Sequence, residues 1–140
     1  MPEIARTCLA ALGAQLRMLK AQILEFNRTI NAWHRSNETS KRLDEIPGVG
    51  PALATALVAT SLSISKQGDR YLRSLFTAGA LAVIRYAKIH GTKHRPWLTA
   101  SLARRPTKVA AIALANKIAR MAWAMMAKGE RYKEPVALAA

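Results

Sequence analysis

The chain has 140 residues, with 22 Lys and Arg against eight Asp and Glu, and a formal net charge of +14. Apolar residues make up 51% of it, which excludes a disordered basic tail. Its one cysteine, Cys8, excludes an internal disulfide and suits a reducing compartment, so we expect a cytoplasmic protein.

The N-terminus has no charged segment followed by an apolar run, so we expect no signal peptide. The most membrane-like stretch, residues 109–127, carries Asn116, Lys117 and Arg120 in its middle, where a bilayer would make them costly. We therefore expect no membrane partner.

Charge is divided unevenly along the chain. Residues 1–60 carry seven basic and five acidic residues, whereas residues 61–140 carry fifteen and three. Between Arg70 and Gly129 there are twelve Lys and Arg and no acid at all. A compact helical segment of this kind repels itself unless an outside polyanion neutralises it. The phosphate backbone of DNA or RNA is the commonest such partner.

The first predicted element is a long helix with an unbroken apolar seam. Its apolar residues recur with the spacing 3-4-3-4-3-4-3, a heptad pattern held for more than three repeats. The seam residues are Leu9, Leu12, Leu16, Leu19, Ile23, Phe26, Ile30 and Trp33. We predict a coiled-coil arm over residues 1–40 that makes the chain a homo-oligomer and ends near His34 to Thr39. The alternative is an amphipathic helix folded back on its own domain.

Residues 41–60 resemble the helix-hairpin-helix motif of DNA repair and recombination proteins. The matching positions are Leu43, Ile46, Gly48, Val49, Gly50, Ala54 and Leu57. Glycine lets the main chain approach a ligand closely, and Pro51 suits the first position of a helix whose free N–H groups face an anion. We expect Gly48, Val49 and Gly50 to hold one phosphate without reading sequence, while Ile46 and Val49 anchor the hairpin in the core. The alternative is a tight turn with no ligand.

Residues 61–140 predict a basic helical module without strands. Asp69 is placed to cap a helix that Gly91 ends, Pro96 restarts a short helix, and the last helix precedes Gly129. In the first of these helices, the residues at inward spacing are Leu72, Leu75, Phe76, Gly79, Ala82, Val83 and Tyr86. In the last helix they are Val109, Ile112, Ala113, Ala119, Trp123 and Met126. The core spacing of Tyr71, Tyr86, Trp97 and Trp123 predicts that these aromatics pack inward and do not stack on bases.

Basic residues of this module are candidates for phosphate contact. On a helical wheel Lys117, Arg120 and Lys128 fall within ~80° of one another, opposite the predicted core face. A solvated surface is the alternative, but no acids lie nearby in the sequence. The full candidate set is Lys66, Arg70, Arg73, Arg104, Arg105, Lys108, Lys117, Arg120 and Lys128. No Cys or carboxylate completes a metal site with His90 and His94, so we expect no metal in this chain.

Several motifs, in order along the chain, resemble one known family. They are Ile-Pro-Gly-Val-Gly-Pro at 46–51, Ile-Ser-Lys-x-Gly-Asp-x-x-Leu-Arg at 64–73, Arg-Pro-Trp-Leu at 95–98, and the Lys-Val-Ala to Trp run at 108–123. Almost end to end, the chain is similar to the C-terminal part of insertion-sequence transposases related to Piv-type DNA invertases, the bridge-RNA-guided recombinases. The resemblance implies DNA transposition and recombination, DNA and a guide RNA as partners, and a coiled-coil arm. It also implies a preceding RuvC-like domain whose carboxylates bind a divalent metal.

The chain departs from this family in two places. It has no RuvC-like domain, and acids such as Glu3, Glu25 and Glu38 are scattered and cannot form a metal-binding cluster. The family also has a longer segment after the hairpin that carries a nucleophilic serine, whereas here residues 59–63 join the two flanks directly. We assign no catalytic residue and expect no catalysis by this chain alone.

The sequence thus predicts an all-α chain with a coiled-coil arm (1–40), a helix-hairpin-helix (41–60) and a shortened basic transposase domain (61–140). Its expected function is to grip nucleic-acid backbone as a DNA-binding transposase fragment. The alternative is a non-enzymatic assembly module whose coil joins other subunits and whose charge only aids solubility.

Overall fold

The computed structural model describes residues 2–60, 69–91 and 96–133. These residues form α1 (Glu3–Ser36), α2 (Glu38–Asp44), α3 (Pro51–Ala59), α4 (Arg70–His90), α5 (Pro96–Arg104) and α6 (Thr107–Lys128). None of them lies in a strand, which confirms the predicted all-α fold.

The helices of the basic module begin and end where the sequence predicts. The Asp69 carboxylate accepts hydrogen bonds from the N–H groups of Tyr71 (2.7 Å) and Leu72 (3.1 Å) and so caps α4. Gly91 and Gly129 follow α4 and α6 with φ of +83° and +70°, a conformation that other residues rarely adopt.

Three polar side chains join the arm to the hairpin. His34, the one buried residue of α1, places its Nδ1 2.7 Å from Ser40 Oγ and its Nε2 3.7 Å from the Asp44 carboxylate. Between them, Asn37 Oδ1 accepts a hydrogen bond from Ser40 N–H and caps α2. Helix α1 ends at Ser36, inside the predicted interval from His34 to Thr39, while the coiled coil itself stays a prediction.

Before this junction, α1 is an exposed rod about 50 Å long at ~1.5 Å per residue. Seven of the eight seam residues are exposed, among them Leu16 (67%) and Ile23 (58%), and Ile30 is half-buried. The arm packs only against α2 and α3, at its C-terminal end. Within the described residues, the alternative of a helix folded back along its own domain is wrong.

The hairpin and the basic helices share one hydrophobic core. Ile46 and Val49 are 0% and 3% exposed, which confirms that they anchor the hairpin. The other hairpin residues in this core are Leu43, Leu53, Ala54 and Leu57. The basic helices contribute Ala80, Ile84, Ala87, Leu98, Ala110, Ala111, Leu114, Ala115, Ile118, Ala122 and Met125.

The hairpin turn meets α4 backbone to backbone. Gly48 has φ +97°, and a Cβ on Gly79 would overlap the Gly48 carbonyl oxygen. A Cβ on Gly48 would in turn lie 3.0 Å from Ile118 Cδ1 and 3.1 Å from Val83 Cγ2. Both positions must therefore be glycine for the hairpin, α4 and α6 to come this close.

Helices α4 and α6 run antiparallel. Lys88, near the end of α4, donates a hydrogen bond to Thr107 Oγ1 (3.4 Å) at the start of α6. Midway along both helices, Gly48 lies against Val83 and Ile118. The N-terminal end of α4 therefore lies level with the C-terminal half of α6.

The predicted inward faces of α4 and α6 are partly wrong. Ala82 and Tyr86 are exposed on α4, and Val109, Ile112 and Trp123 on α6; the other predicted positions are half-buried. The fully buried positions are mostly alanines, because α4, α6 and the hairpin pack closely. Side chains as large as Trp123 do not fit there, and they lie on the outer face.

The predicted packing of the aromatics is also wrong. Tyr71, Tyr86, Trp97 and Trp123 are all exposed by 42% or more. Tyr86 stacks on the ring of His90, with ring centroids 4.1 Å apart, at the exposed end of α4. Core spacing therefore gave the wrong environment for every one of them.

Helix α6 is long and apolar enough to cross a membrane by length and hydropathy alone. Core helices of water-soluble proteins meet the same criterion, and α6 buries one face, including Leu114 and Ile118, in the core. The absence of a membrane partner stays a prediction.

Replacing Gly79 with alanine should lower the free energy of unfolding by about 1–3 kcal/mol, because the new Cβ forces the hairpin away from α4. Urea unfolding followed by circular dichroism measures the loss. Gly13→Ala is the matched control, since a Cβ there meets nothing closer than Arg17 Nη1 at 3.8 Å. Equal stability of the Gly79→Ala variant and the unmodified chain would contradict the described packing.

Candidate nucleic-acid interface

The described cations of α4, α5 and α6 lack acidic partners. Lys41 is the one Lys or Arg among the described residues with a carboxylate within 4 Å, that of Glu38 at 2.8 Å. The hydrogen bond from Lys41 and its positive charge lower the pKa of Glu38. No other described Lys or Arg has a carboxylate oxygen within 4 Å, although the charges of Arg131 and Arg42 also lower the pKa of Glu38.

The structure places most predicted phosphate-contact residues on the surface. The exposed ones are Arg70, Arg73, Arg104, Arg105, Lys108, Arg120 and Lys128. Lys117 is half-buried, and Lys66 lies outside the described residues. Lys88 is also exposed, beside the start of α6, but it is not among the residues predicted to contact phosphate.

These residues do not form a single cluster. Arg104 and Arg105 lie at the junction of α5 and α6, and Lys108 follows in the first turn of α6. Because α4 and α6 are antiparallel, Arg70 and Arg73 lie at the other end of the pair. The cations are thus spread along the α4–α6 pair, as backbone contact with an extended polyanion requires.

A pocket of about 510 Å³ lies where α5 meets α6. Its lining residues are Trp97, Ser101, Arg104, Arg105, Val109 and Ala113. Above the Trp97 ring, Lys117 Nζ lies 4.7 Å from the centroid, a cation–π contact. The pocket therefore combines an exposed aromatic ring with basic side chains.

Sequence analysis missed Trp97 as a site residue, although a local signal existed. Pro96 places Trp97 in the first turn of α5, next to Leu98. Adjacent helical residues point about 100° apart, so Trp97 and Leu98 face different directions from α5. Leu98 is buried (1% exposed) and anchors α5, which leaves Trp97 outside.

The three hairpin residues predicted to hold phosphate have different environments. The backbone of Gly48 packs against α4, and Val49 N–H donates to Ile46 O (2.9 Å). Gly50 is exposed, a Cβ there would meet nothing within 4 Å, and its N–H has no partner among the described residues. Only Gly50, with the first turn of α3, is therefore open to an anion.

Charged residues near the hairpin are engaged in structural contacts. The Glu45 carboxylate accepts a hydrogen bond from Tyr132 N–H (3.3 Å), and Arg42 Nη1 donates to Gly129 O (2.6 Å). These contacts fasten the segment after α6 to α2. Asp44 faces His34, as described above.

The Ser40, His34 and Asp44 trio has the residue types of a hydrolytic triad but serves as a structural junction. Ser40 is 0% exposed, so its hydroxyl cannot reach a substrate. Across residues 2–60, 69–91 and 96–133, no three His, Cys, Asp or Glu side chains could together hold a metal ion.

Comparison with known proteins gives transposase homologues. The chain is 32% identical to a Sinorhizobium fredii protein that carries the name transposase, over 96% of this chain and 43% of that protein. It is 32% identical to a Pseudomonas aeruginosa family 20 transposase (95% of this chain, 48% of that protein). It is 29% identical to the transposase for insertion sequence element IS1111A of Coxiella burnetii, over 78% of this chain and 38% of that protein. No family model and no solved structure matches the chain.

The chain therefore spans less than half the length of these relatives, and it also lacks an internal part of the aligned region. The Sinorhizobium alignment runs over 166 positions but covers about 134 residues of this chain (96% of 140), which leaves about 32 positions unmatched. The Pseudomonas alignment, 164 positions against about 133 residues, leaves about 31. The Coxiella alignment, 140 positions against about 109, also leaves about 31. One missing internal segment would produce these near-equal shortfalls.

Proposed function

We propose that this chain is a shortened C-terminal part of an insertion-sequence transposase that grips nucleic-acid backbone without reading base sequence. The observation that carries the proposal is the number of exposed cations on α4, α5 and α6, none with a carboxylate within 4 Å among the described residues. Unpaired surface charge of this density favours a phosphate polymer as ligand. The homologues named transposases support DNA as that polymer.

The finer family is part of the same proposal. The ordered motifs resemble the Piv-type, bridge-RNA-guided recombinases, in which the C-terminal domain follows a metal-binding RuvC-like domain. We place the missing segment of about 31 residues between α3 and Asp69, where that family has its serine-bearing loop. On this basis the chain binds nucleic acid and depends on a full-length enzyme for any strand chemistry.

Duplex binding should depend steeply on salt. For each phosphate that the chain neutralises, log K should fall about 0.9 units per tenfold rise in salt. Fluorescence anisotropy with a labelled duplex of mixed sequence, at several salt concentrations, measures the slope. The double variant Arg104→Ala, Arg105→Ala should make the slope shallower by the amount expected for the loss of about two phosphate contacts.

The matched control is Arg17→Ala with Arg28→Ala, which removes the same charge from exposed positions on the arm. Its slope should stay unchanged if the interface lies on the basic module. No binding at low salt would contradict the proposed function. Equal losses in both double variants would mean attraction by net charge only, without the proposed interface, and would favour the alternative assembly role.

The hairpin can be tested at Gly50, the N-cap residue of α3. Gly50→Asp should stabilise the fold by a few tenths of a kcal/mol, because aspartate caps helices slightly better than glycine. The same carboxylate occupies the free N–H groups and repels phosphate, so duplex affinity should fall several-fold. Thermal unfolding and anisotropy, run on the same sample, give the two readouts.

Gly50→Ala is the control, because its Cβ enters open space and leaves the N–H groups free. Its affinity for duplex should stay within about twofold of that of the unmodified chain, because the alanine adds no new contact and no charge. If Gly50→Asp also keeps full affinity, the hairpin does not contact phosphate, and binding rests on α4–α6 alone.

We propose that the exposed seam of α1 pairs with the same seam of a second copy. The apolar stripe from Leu9 to Trp33 is largely exposed to water, and an exposed stripe of this kind marks an interaction surface. Ile23→Asp should abolish self-association, measured as a concentration-dependent mass by sedimentation equilibrium. Leu24→Asp, exposed but off the seam, should leave the mass unchanged. A monomeric unmodified chain would contradict pairing.

A further inference from the structure

The pocket between α5 and α6 has features that backbone gripping does not use. Trp97 is 42% exposed, although Leu98 already anchors α5 in the core. Lys117 of α6 lies over one face of the indole ring, with its Nζ 4.7 Å from the ring centroid. An exposed aromatic ring of this kind is what proteins use to stack on a nucleobase.

Basic groups line the same pocket. Arg104 is held at the end of α5, where its Nε donates to Ala100 O (3.3 Å), and Arg105 has no ion pair with any described residue. Both line the pocket together with Trp97. The pocket therefore offers guanidinium groups, which bind phosphate in a forked geometry, beside an aromatic plane.

The size and chemistry of the pocket select the ligand. Pockets that hold small organic ligands measure roughly 300–1,000 Å³, and this one, at about 510 Å³, suits a single nucleotide. A paired base inside a duplex has both faces covered by its neighbours and cannot stack on a protein ring. Stacking on the Trp97 ring therefore requires a nucleotide whose base is unpaired.

We propose that this pocket binds an unpaired nucleotide of single-stranded DNA or RNA, with the base stacked on Trp97 and flanking phosphates held by Arg104 and Arg105. The inference rests on the proposed function and adds the form of the nucleic acid: the chain binds a strand with an accessible base as well as paired backbone. DNA and RNA offer the same ring and phosphates, so both are used as probes.

The test compares a normal labelled 12-nucleotide strand with an abasic strand of equal length, as DNA and as RNA, by fluorescence anisotropy. The unmodified chain should bind the normal strand at least about fivefold more tightly, the lower end for one base stacked on an aromatic ring. Trp97→Ala and Trp97→Leu should abolish this preference, and Trp97→Phe should keep most of it. Trp123→Ala is the matched control, because Trp123 is as exposed (48%) but does not line the pocket.

The outcomes separate the inference from the proposed function. Loss of the base preference in Trp97→Leu, with duplex affinity and circular dichroism unchanged, supports the pocket. A preference that persists in Trp97→Leu, or equal losses for normal and abasic strands, overturns it. If neither duplex nor single strand binds at low salt, the proposed function fails as well. A preference for only one of the DNA and RNA strands identifies the sugar that the pocket accepts.

Discussion

Backbone contact between Gly48 and Gly79 sets the distance between the hairpin and α4, and the rest of the packing depends on that distance. With no side chain at either position, the turn lies against α4 closely enough to reach Val83 and, across it, Ile118 of α6. Six of the buried positions on α4 and α6 are alanines, which pack beside larger buried residues such as Ile84 and Ile118. A core built from small residues and close backbones also leaves the large apolar and aromatic side chains on the outside, among them Trp97.

Acids and bases have separate roles in this structure. The carboxylates of Asp44, Glu45 and Asp69 join or cap helices: Asp44 faces His34, Glu45 accepts a hydrogen bond from Tyr132 N–H, and Asp69 caps α4. Most of the described basic residues take no part in holding the fold together. Arg42 is an exception, since it binds the Gly129 carbonyl. The chain therefore uses these three acids in its fold and keeps a surplus of positive charge available to a ligand.

Local chemistry allowed much of the fold to be predicted. Asp69, Gly91 and Gly129 mark helix ends through hydrogen bonds and backbone angles that depend on few neighbours. The side of each helix that faces the core could not be predicted, because α6 is apolar over most of its circumference and tertiary packing made the choice. Trp97 was missed although it lies next to Leu98 in the sequence, because the choice of which of the two enters the core was made by tertiary packing. Phosphate contact by the site residues remains a prediction. For Gly48, Val49 and Gly50 the structure adds only the local environment of each residue.

Helix α1 is long enough to act as a spacer between the basic modules of two chains. Its 34 residues extend about 50 Å, the length of roughly 15 base pairs at ~3.4 Å each. Two arms paired antiparallel would hold their basic modules about one and a half helical turns of DNA apart, on opposite faces of a straight duplex. Two arms paired parallel would bring the modules together, where they could hold two separate duplexes next to each other. In the proposed dimer, the direction of pairing would decide whether two chains contact one DNA molecule at a fixed spacing or hold two DNA molecules together.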